Sequence, residues 1–333
     1  MLEAISQLKD SLPSLSSFRF SLGNIDLSAL GIGGKGVGLD IGEERVRAVR
    51  LKRRDKHLIM AGVGVSDIAY PDNEGATVKA ILEALAGAGR KRRDPLACSI
   101  GGPQVVIKSI KLPALPLARV LDAVKWHFQE NGLLPSGDAV FDAQVLQPAN
   151  GDQMKILAVC VPNALIERRL KVLAAAHLTP RHVDVEPLVT LNAFIALEGL
   201  GQDETLVLIS LNKPVPFVCV FNRQSGDTLI RYMPEAFENP AAAVENIRTS
   251  VAYYQAEIAP GSNLRCVYCG REELFSQLRE KMMNLFVVWN LTEAPANFDP
   301  LSIMEWESSI LQPGISIDGT ELAQAVGLAL RAL

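Results

Sequence analysis

The chain has 333 residues, 48% of them hydrophobic and 21% charged, which is ordinary globular usage and enough to bury a sizeable core in more than one lobe. A formal net charge of -4 and a pI near 5.7 give no bulk attraction to nucleic acid, and four histidines leave little material for a histidine-rich metal site. Five scattered cysteines, Cys98, Cys160, Cys219, Cys266 and Cys269, read as buried thiols of a reducing compartment.

The first 35 residues stand apart. Leu2, Ile5, Leu8 and Leu12 fall near helical spacing, and Pro13 with the serines after it ends the run. This segment is expected to be an extension with a short amphipathic helix that packs on its own domain, or that docks on a partner or a membrane surface. It lacks a basic stretch followed by an apolar one, so it does not read as a secretory signal, and no run of apolar residues is long enough to span a bilayer. A cytoplasmic chain is expected.

From Val37 the pattern becomes sheet-forming. "VGLDI", "VRAVRLKR" and "HLIMAGVGVSDI" predict a three-stranded meander, "TVKAILEALAGAG" an amphipathic helix and "PLACSIG" a buried strand. Strand, strand, strand, helix, strand opens the α/β fold of actin and the sugar kinases. Residues 36–104 are therefore assigned to a first lobe. Residues 105–187 predict a compact inserted α+β module: "VVIKSIKLP", "AVFDAQVL", "KILAVCVP" and "PRHVDVEP" as a four-stranded sheet, with helices over "PLARVLDAVKWHFQENGL" and "NALIERRLKVLAAAHL". After a buried linking helix, "ETLVLISLN", "PFVCVFNRQ" and "DTLIRYMP" form a second meander. "PAAAVENIRTSVAYYQAEI", "NLRCVYCG" and "REELFSQLREKM" continue it as helix, strand and helix, and "GTELAQAVGLALRAL" closes the chain as a helix. Residues 188–333 thus form the linking helix, a second lobe and a closing helix. Two copies of meander, helix and strand imply duplicated lobes around a cleft.

In order and spacing, "VGLDIGEERVRAVRL", "VVIKSIKLPALP", "FDAQVL", "HVDVEPLVTLNAF", "NIRTSVAYYQ" and "AVGLALR" resemble the PilM family, actin-like cytoplasmic proteins of type IV pilus assembly. The resemblance implies an FtsA-like variant of the actin fold with a small inserted module. It implies ATP between the lobes, and a groove beside the module that holds the amino-terminal peptide of PilN, a bitopic inner-membrane protein. PilN-like proteins pair with PilO-like ones, and the assembly connects to the pilus motor ATPases. The place implied is the inner face of the bacterial cytoplasmic membrane, reached peripherally through partners, with self-association open.

The positions matching the family's nucleotide turns depart from its pattern. The first turn keeps Asp40 and Gly42 but carries Glu43, Glu44 and Arg45 where small hydroxyl residues are usual, and Arg47 where lysine is usual. The second falls on Ser210-Leu211-Asn212, followed by Lys213, Pro214 and Pro216, so a magnesium-shell carboxylate and two backbone donors are missing. The adenine-side turn is Cys269-Gly270-Arg271, with one glycine lost. Degenerate or very weak ATP binding is expected at Asp40, Gly42, Arg45, Arg47, Ser210, Asn212 and Gly270, with Asp40 the only metal-ligand type left for Mg2+ carried by the nucleotide. A non-catalytic scaffold is the expected function, and a nucleotide-switched ATPase of pilus or type II secretion machinery is the alternative.

Other motifs read more plainly. Cys266 and Cys269 have metal-like spacing but no second cluster, and are expected as buried strand residues. Asp184 and Glu186 are expected on one strand face toward the cleft, with a structural role at a domain junction and a hydrolytic or magnesium-positioning role as the alternative. The basic runs around Arg53 and at Arg90 to Arg93 read as solvated turns, with anionic lipid contact as the alternative.

Overall fold

The computed structural model describes residues 34–333 apart from 56, 71–72, 213–214, 259, 290, 292 and 308–316. The expected amino-terminal helix and the Lys213-Pro214 part of the second turn lie outside the described residues.

The first lobe opens with β1 (Lys35–Ile41), β2 (Arg45–Arg54) and β3 (His57–Asp67), followed by α1 (Glu74–Gly87) and β4 (Leu96–Ile100). The inserted segment follows as β5 (Val106–Pro113), α2 (Leu117–Glu130), β6 (Ala139–Asn150), β7 (Gln153–Pro162), α3 (Asn163–Ala175) and β8 (His182–Val185). The linking helix is α4 (Glu186–Leu197). The second lobe is β9 (Glu204–Leu211), β10 (Phe217–Asn222), β11 (Thr228–Tyr232), α5 (Pro240–Glu257), β12 (Asn263–Gly270), α6 (Glu272–Val288), β13 (Ala296–Asn297), α7 (Pro300–Ile303) and β14 (Glu305–Trp306). A 3-10 turn, Gly319–Leu322, leads into the closing helix α8 (Ala323–Ala332).

The sheet orders show the duplication. One sheet runs β14-β3-β2-β1-β4-β8, and the other runs β13-β12-β9-β10-β11-β5-β7-β6. In each, an antiparallel meander is followed by a strand parallel to its first member, β4 beside β1 and β12 beside β9. In this correspondence β8 stands where β13 stands. This corrects the four-stranded module: β8 pairs in parallel with β4, Cys98 opposite Val183, so the module's own sheet is β5, β7 and β6. The physical reason is that β4 would otherwise present a bare edge to its lobe, and the short buried run of Val183 to Val185 fills it. The module sheet continues the second sheet through one bridge, Leu229 opposite Lys108.

β9, β10 and β12 read as nearly unbroken apolar runs because both of their faces are covered. One face, with Leu206, Leu208, Phe217 and Cys219, shares the core of the first lobe, while Val207, Ile209, Val218 and Val220 join Ile247 and Phe275 in the core of the second. The module keeps a smaller core around Val124, Phe128 and Ile156. Helices α4 and α8 lie between the sheets and are buried along nearly their whole length. Their approach depends on missing side chains: a Cβ on Gly38 of β1 would lie 1.9 Å from the Ala325 carbonyl oxygen, and one on Gly327 of α8 would lie 1.9 Å from that of Val189. Among the described residues no helix is long and apolar enough to cross a membrane.

Candidate functional site in the interlobe cleft

The β1–β2 turn is tight, with the Gly42 N–H donating to the Arg45 carbonyl at 3.0 Å. Just inside it, Asp40 and Arg47 stand opposite one another across the two strands, both buried. Buried charges persist only when paired, and this pair sits in a wider network. Arg47 Nη1 lies 3.4 Å from Asp40 Oδ2, and Gln324 Nε2 of α8 donates to Asp40 Oδ1 at 2.8 Å and to Ser99 Oγ at 2.9 Å. Arg47 also clasps Glu321, with Nε donating to Oε2 at 2.9 Å and Nη2 contacting the same oxygen. Both oxygens of Asp40 are thus taken by protein donors. Burial pushes its carboxyl above the ordinary range, and the Arg47 and Arg169 guanidiniums only partly oppose this.

The second turn follows β9. Ser210 is buried and Asn212 nearly so, at 6% exposure, and neither amide atom of Asn212 has a hydrogen-bond partner among the described residues. The third element, the end of β12, touches the second turn directly. Gly270 has φ +98, and a Cβ there would meet the Leu211 carbonyl carbon at 2.7 Å and the Asn212 nitrogen at 2.9 Å. Glycine is required at this position for both reasons. The Thr320 hydroxyl donates to the Gly270 carbonyl at 2.6 Å, and Arg271 Nη2 reaches back to Glu44 Oε2 of the first turn at 2.7 Å. The sequence-predicted positions Asp40, Gly42, Arg45, Arg47, Ser210, Asn212 and Gly270 therefore converge on one cleft, tied across by Arg271–Glu44 and Arg47–Glu321.

The cleft opens into a cavity of about 530 Å³ lined by six carboxylates, Glu44, Asp67, Glu272, Glu273, Asp318 and Glu321, against two guanidiniums, Arg45 and Arg271. Arg45 is held by Asp67 at 2.6 Å and approaches Glu321 at 3.6 Å. A second cavity, about 290 Å³, lies on the other side of the same turn. Ile41, Ile68 and Ile100 of the first lobe face Leu165, Arg168, Arg169 and Val172 of α3 across it, with Glu186 at its floor. Arg169 Nη1 donates to the Ile41 carbonyl at 3.1 Å. Glu186 abuts Gly101, where a Cβ would fall 1.8 Å from its Oε2. Burial, and then neighbouring Asp40, raise the Glu186 carboxyl to about 7.

Asp184 and Glu186 do not share a face toward the cleft, which corrects the expectation. Glu186, the first residue of α4, turns toward Asp40, while fully buried Asp184 lies with Oδ2 3.2 Å from Arg331 Nε of α8. Cys266 and Cys269 are buried free thiols, both pushed up to about 12 by burial, which keeps them protonated and unreactive. Gln324, Glu321 and Arg169 were missed by sequence reasoning. The signal for the first two is their three-residue spacing, which sets two polar side chains on one face where the 3-10 turn runs into a mostly apolar closing helix.

No protein-family model matches the chain, and no curated protein matches it. Among solved structures, a chain described as belonging to a PilM-PilN type IV pilus biogenesis complex is similar with a TM-score of 0.70 at 18% identity, covering 89% of this chain and 98% of that one. The cytoplasmic domain of EpsL, an inner-membrane component of the type II secretion system of Vibrio cholerae, gives a TM-score of 0.46 at 9% identity over 84% of this chain and 91% of that one. A Bacteroides thetaiotaomicron protein with an actin-like ATPase fold and unknown function gives 0.47 at 8% identity over 85% and 96%. The duplicated sheets and the first of these matches agree with the resemblance read from the sequence: the chain has the actin-like fold.

Proposed function

We propose that the chain is a non-catalytic scaffold of a type IV pilus inner-membrane platform, and that it captures the amino-terminal segment of a PilN-like membrane protein. The observation that carries this reading is the likeness in fold to the PilM-PilN complex along nearly the whole chain. The second cavity supplies a fitting groove, because one wall comes from the first lobe and the other from α3 of the inserted segment. Apolar side chains there suit a peptide's apolar residues, and Arg168, Glu43 and Gly101 at its margins offer polar partners to its backbone. PilO-like proteins and the motor ATPases would be engaged through the captured partner. The chain would then sit at the inner face of the cytoplasmic membrane without spanning it.

In the same reading the interlobe cleft does not work as a nucleotide site, because its residues do not fit a magnesium triphosphate. The carboxylate held back for Mg2+ in such a site is here bound by Arg47 and Gln324, and the cavity beside it carries an excess of negative charge. A unit charge pair at 4 Å is worth about 1 kcal/mol in water and more when shielded, so six carboxylates oppose a polyanion strongly. One observation favours the nucleotide-switched alternative: the unpartnered amide of Asn212, at the second turn, is a polar group left for a ligand.

Calorimetric titration decides between them. The full chain should bind a synthetic peptide copying the amino-terminal cytoplasmic segment of a PilN-like protein, with the same affinity with or without Mg-ATP, and Leu165→Asp should weaken that binding at least about tenfold. Tight Mg-ATP binding without peptide binding would overturn the reading.

A further inference from the structure

The end of the first sheet opposite the cleft gathers cations from segments distant in sequence. Lys35 opens β1 and stands opposite Lys52, and Arg54 lies at the β2–β3 turn opposite His57. Lys91, Arg92 and Arg93 form the turn before β4. The Val37 N–H, which donates to the Pro95 carbonyl at 2.9 Å, and Arg50, whose Nε lies 2.9 Å from Asp94 Oδ2, hold that turn in place. Arg181 joins from the segment before β8, its N–H donating to the Leu96 carbonyl at 2.7 Å.

Lys35, Arg54, Lys91, Arg92, Arg93 and Arg181 are exposed, and none is ion-paired among the described residues. Most of the neighbouring carboxylates are already committed. Asp94 is buried against Arg50 and the Lys91 N–H, while Glu307 and Glu305 face Lys52 at 2.5 Å and His57 at 3.6 Å. Asp55, in the turn after Arg54, is exposed. The crowding of positive charge registers at His182, which burial, Arg331 and Arg181 together push down to about 4. A chain with a formal net charge of -4 has thus collected free cations on one rim.

We propose that this rim is a docking surface for the anionic headgroups of a lipid bilayer. The 33 residues before the described fold enter it here, since the Gly34 carbonyl accepts from the Arg53 N–H at 3.0 Å. Their sequence places Leu2, Ile5, Leu8 and Leu12 at helical spacing. An apolar periodicity in sequence that leads into a basic surface joins two weak membrane signals in one chain, the combination that gives stable attachment where either alone is marginal. This favours a bilayer over a nucleic acid, which has no use for the apolar stripe. Because β1 runs from this rim to the cleft, a bilayer at the rim lies roughly 20 Å from the second cavity, at about 3.3 Å per strand residue.

Co-sedimentation of the full chain with vesicles tests the proposal. Binding to vesicles of phosphatidylglycerol mixed with phosphatidylcholine, none to phosphatidylcholine alone, and weakening by salt are expected. The combined variant Arg54→Gln, Lys91→Gln, Arg92→Gln, Arg93→Gln should lose at least about tenfold in partitioning, since each cation near such a surface contributes about fivefold. Arg54→Lys, Arg92→Lys, Arg93→Lys should retain binding, which separates charge from shape. Peptide titration of the glutamine variant should match that of the parent chain, so failure here is distinguishable from failure of the scaffold reading. Absence of vesicle binding, equal binding to phosphatidylcholine, indifference to the glutamine substitutions, or retention of an RNA duplex in place of vesicles would overturn it.

Discussion

The two ends of the first sheet treat charge in opposite ways. At the cleft end, buried Arg47 joins buried Asp40 to half-buried Glu321, and Glu44 and Arg271 close across the lobes. At the far end, Arg54, Lys91, Arg92 and Arg93 stand in solvent without ion pairs among the described residues. Charges committed to each other hold a fold in one arrangement, whereas uncommitted ones remain open to a partner. The contrast gives the Asp40–Arg47 network structural work and leaves the rim's cations open to the bilayer proposed above.

Breaking the committed side should have the largest effect. Arg47→Ala leaves Asp40 buried without its ion-pair partner and half-buried Glu321 with only Arg45, at 3.6 Å, and should cost about 3–5 kcal/mol in denaturant unfolding. Replacing all three, as Asp40→Asn, Arg47→Met, Glu321→Gln, should recover most of that loss. If the single substitution costs under about 1 kcal/mol, the network is not what organises the cleft.

Glu186 sharpens the comparison through pH. Its folded value of about 7 lies above the ordinary 4.5, so the native state holds a proton that the unfolded chain has released between those values. The resulting stability is fully present below about pH 4.5 and is lost as pH rises through 7. Glu186→Gln should therefore raise the thermal midpoint at pH 8, by an amount corresponding to as much as about 3 kcal/mol, with the gain fading toward pH 4.5. Asp184, also raised to about 7, keeps part of the slope in the variant.

Arg271→Ala removes a pair that is 35% and 44% exposed, so its cost should stay below about 1 kcal/mol. Faster amide exchange over residues 270–273 is the more sensitive readout of a loosened cleft. The smallest effect belongs to the far rim. Arg92→Gln with Arg93→Gln should change unfolding free energy by no more than about 0.5 kcal/mol, because no described contact depends on either side chain.

Much of this architecture is legible in the sequence because the duplicated meanders alternate and turn in the same order, and the buried strands of the second lobe read as continuous apolar runs. The placement of β8 is not legible. A strand of only four residues, His182–Val185, carries no mark of which sheet edge it completes, and only the bare side of β4 decides it. At the cleft, Asp40 reads as a ligand-type carboxylate from its turn, yet its partner Gln324 lies 284 positions away and no local pattern links them. The basic runs are visible as runs, but their convergence with Lys35 and Arg181 on one rim appears only once β1, β4 and β8 are set side by side. Local chemistry survives in the sequence, while pairings made across the fold do not.

Thermal unfolding of the full chain across a series of Mg-ATP concentrations into the millimolar range tests the central claim most directly. A ligand present at a hundred times its dissociation constant stabilises a native state by about 2.7 kcal/mol. With the cleft held by Arg47, Glu321, Gln324 and Arg271, the midpoint should not move. A saturable, dose-dependent rise would show that the cleft takes the nucleotide after all and would contradict the account.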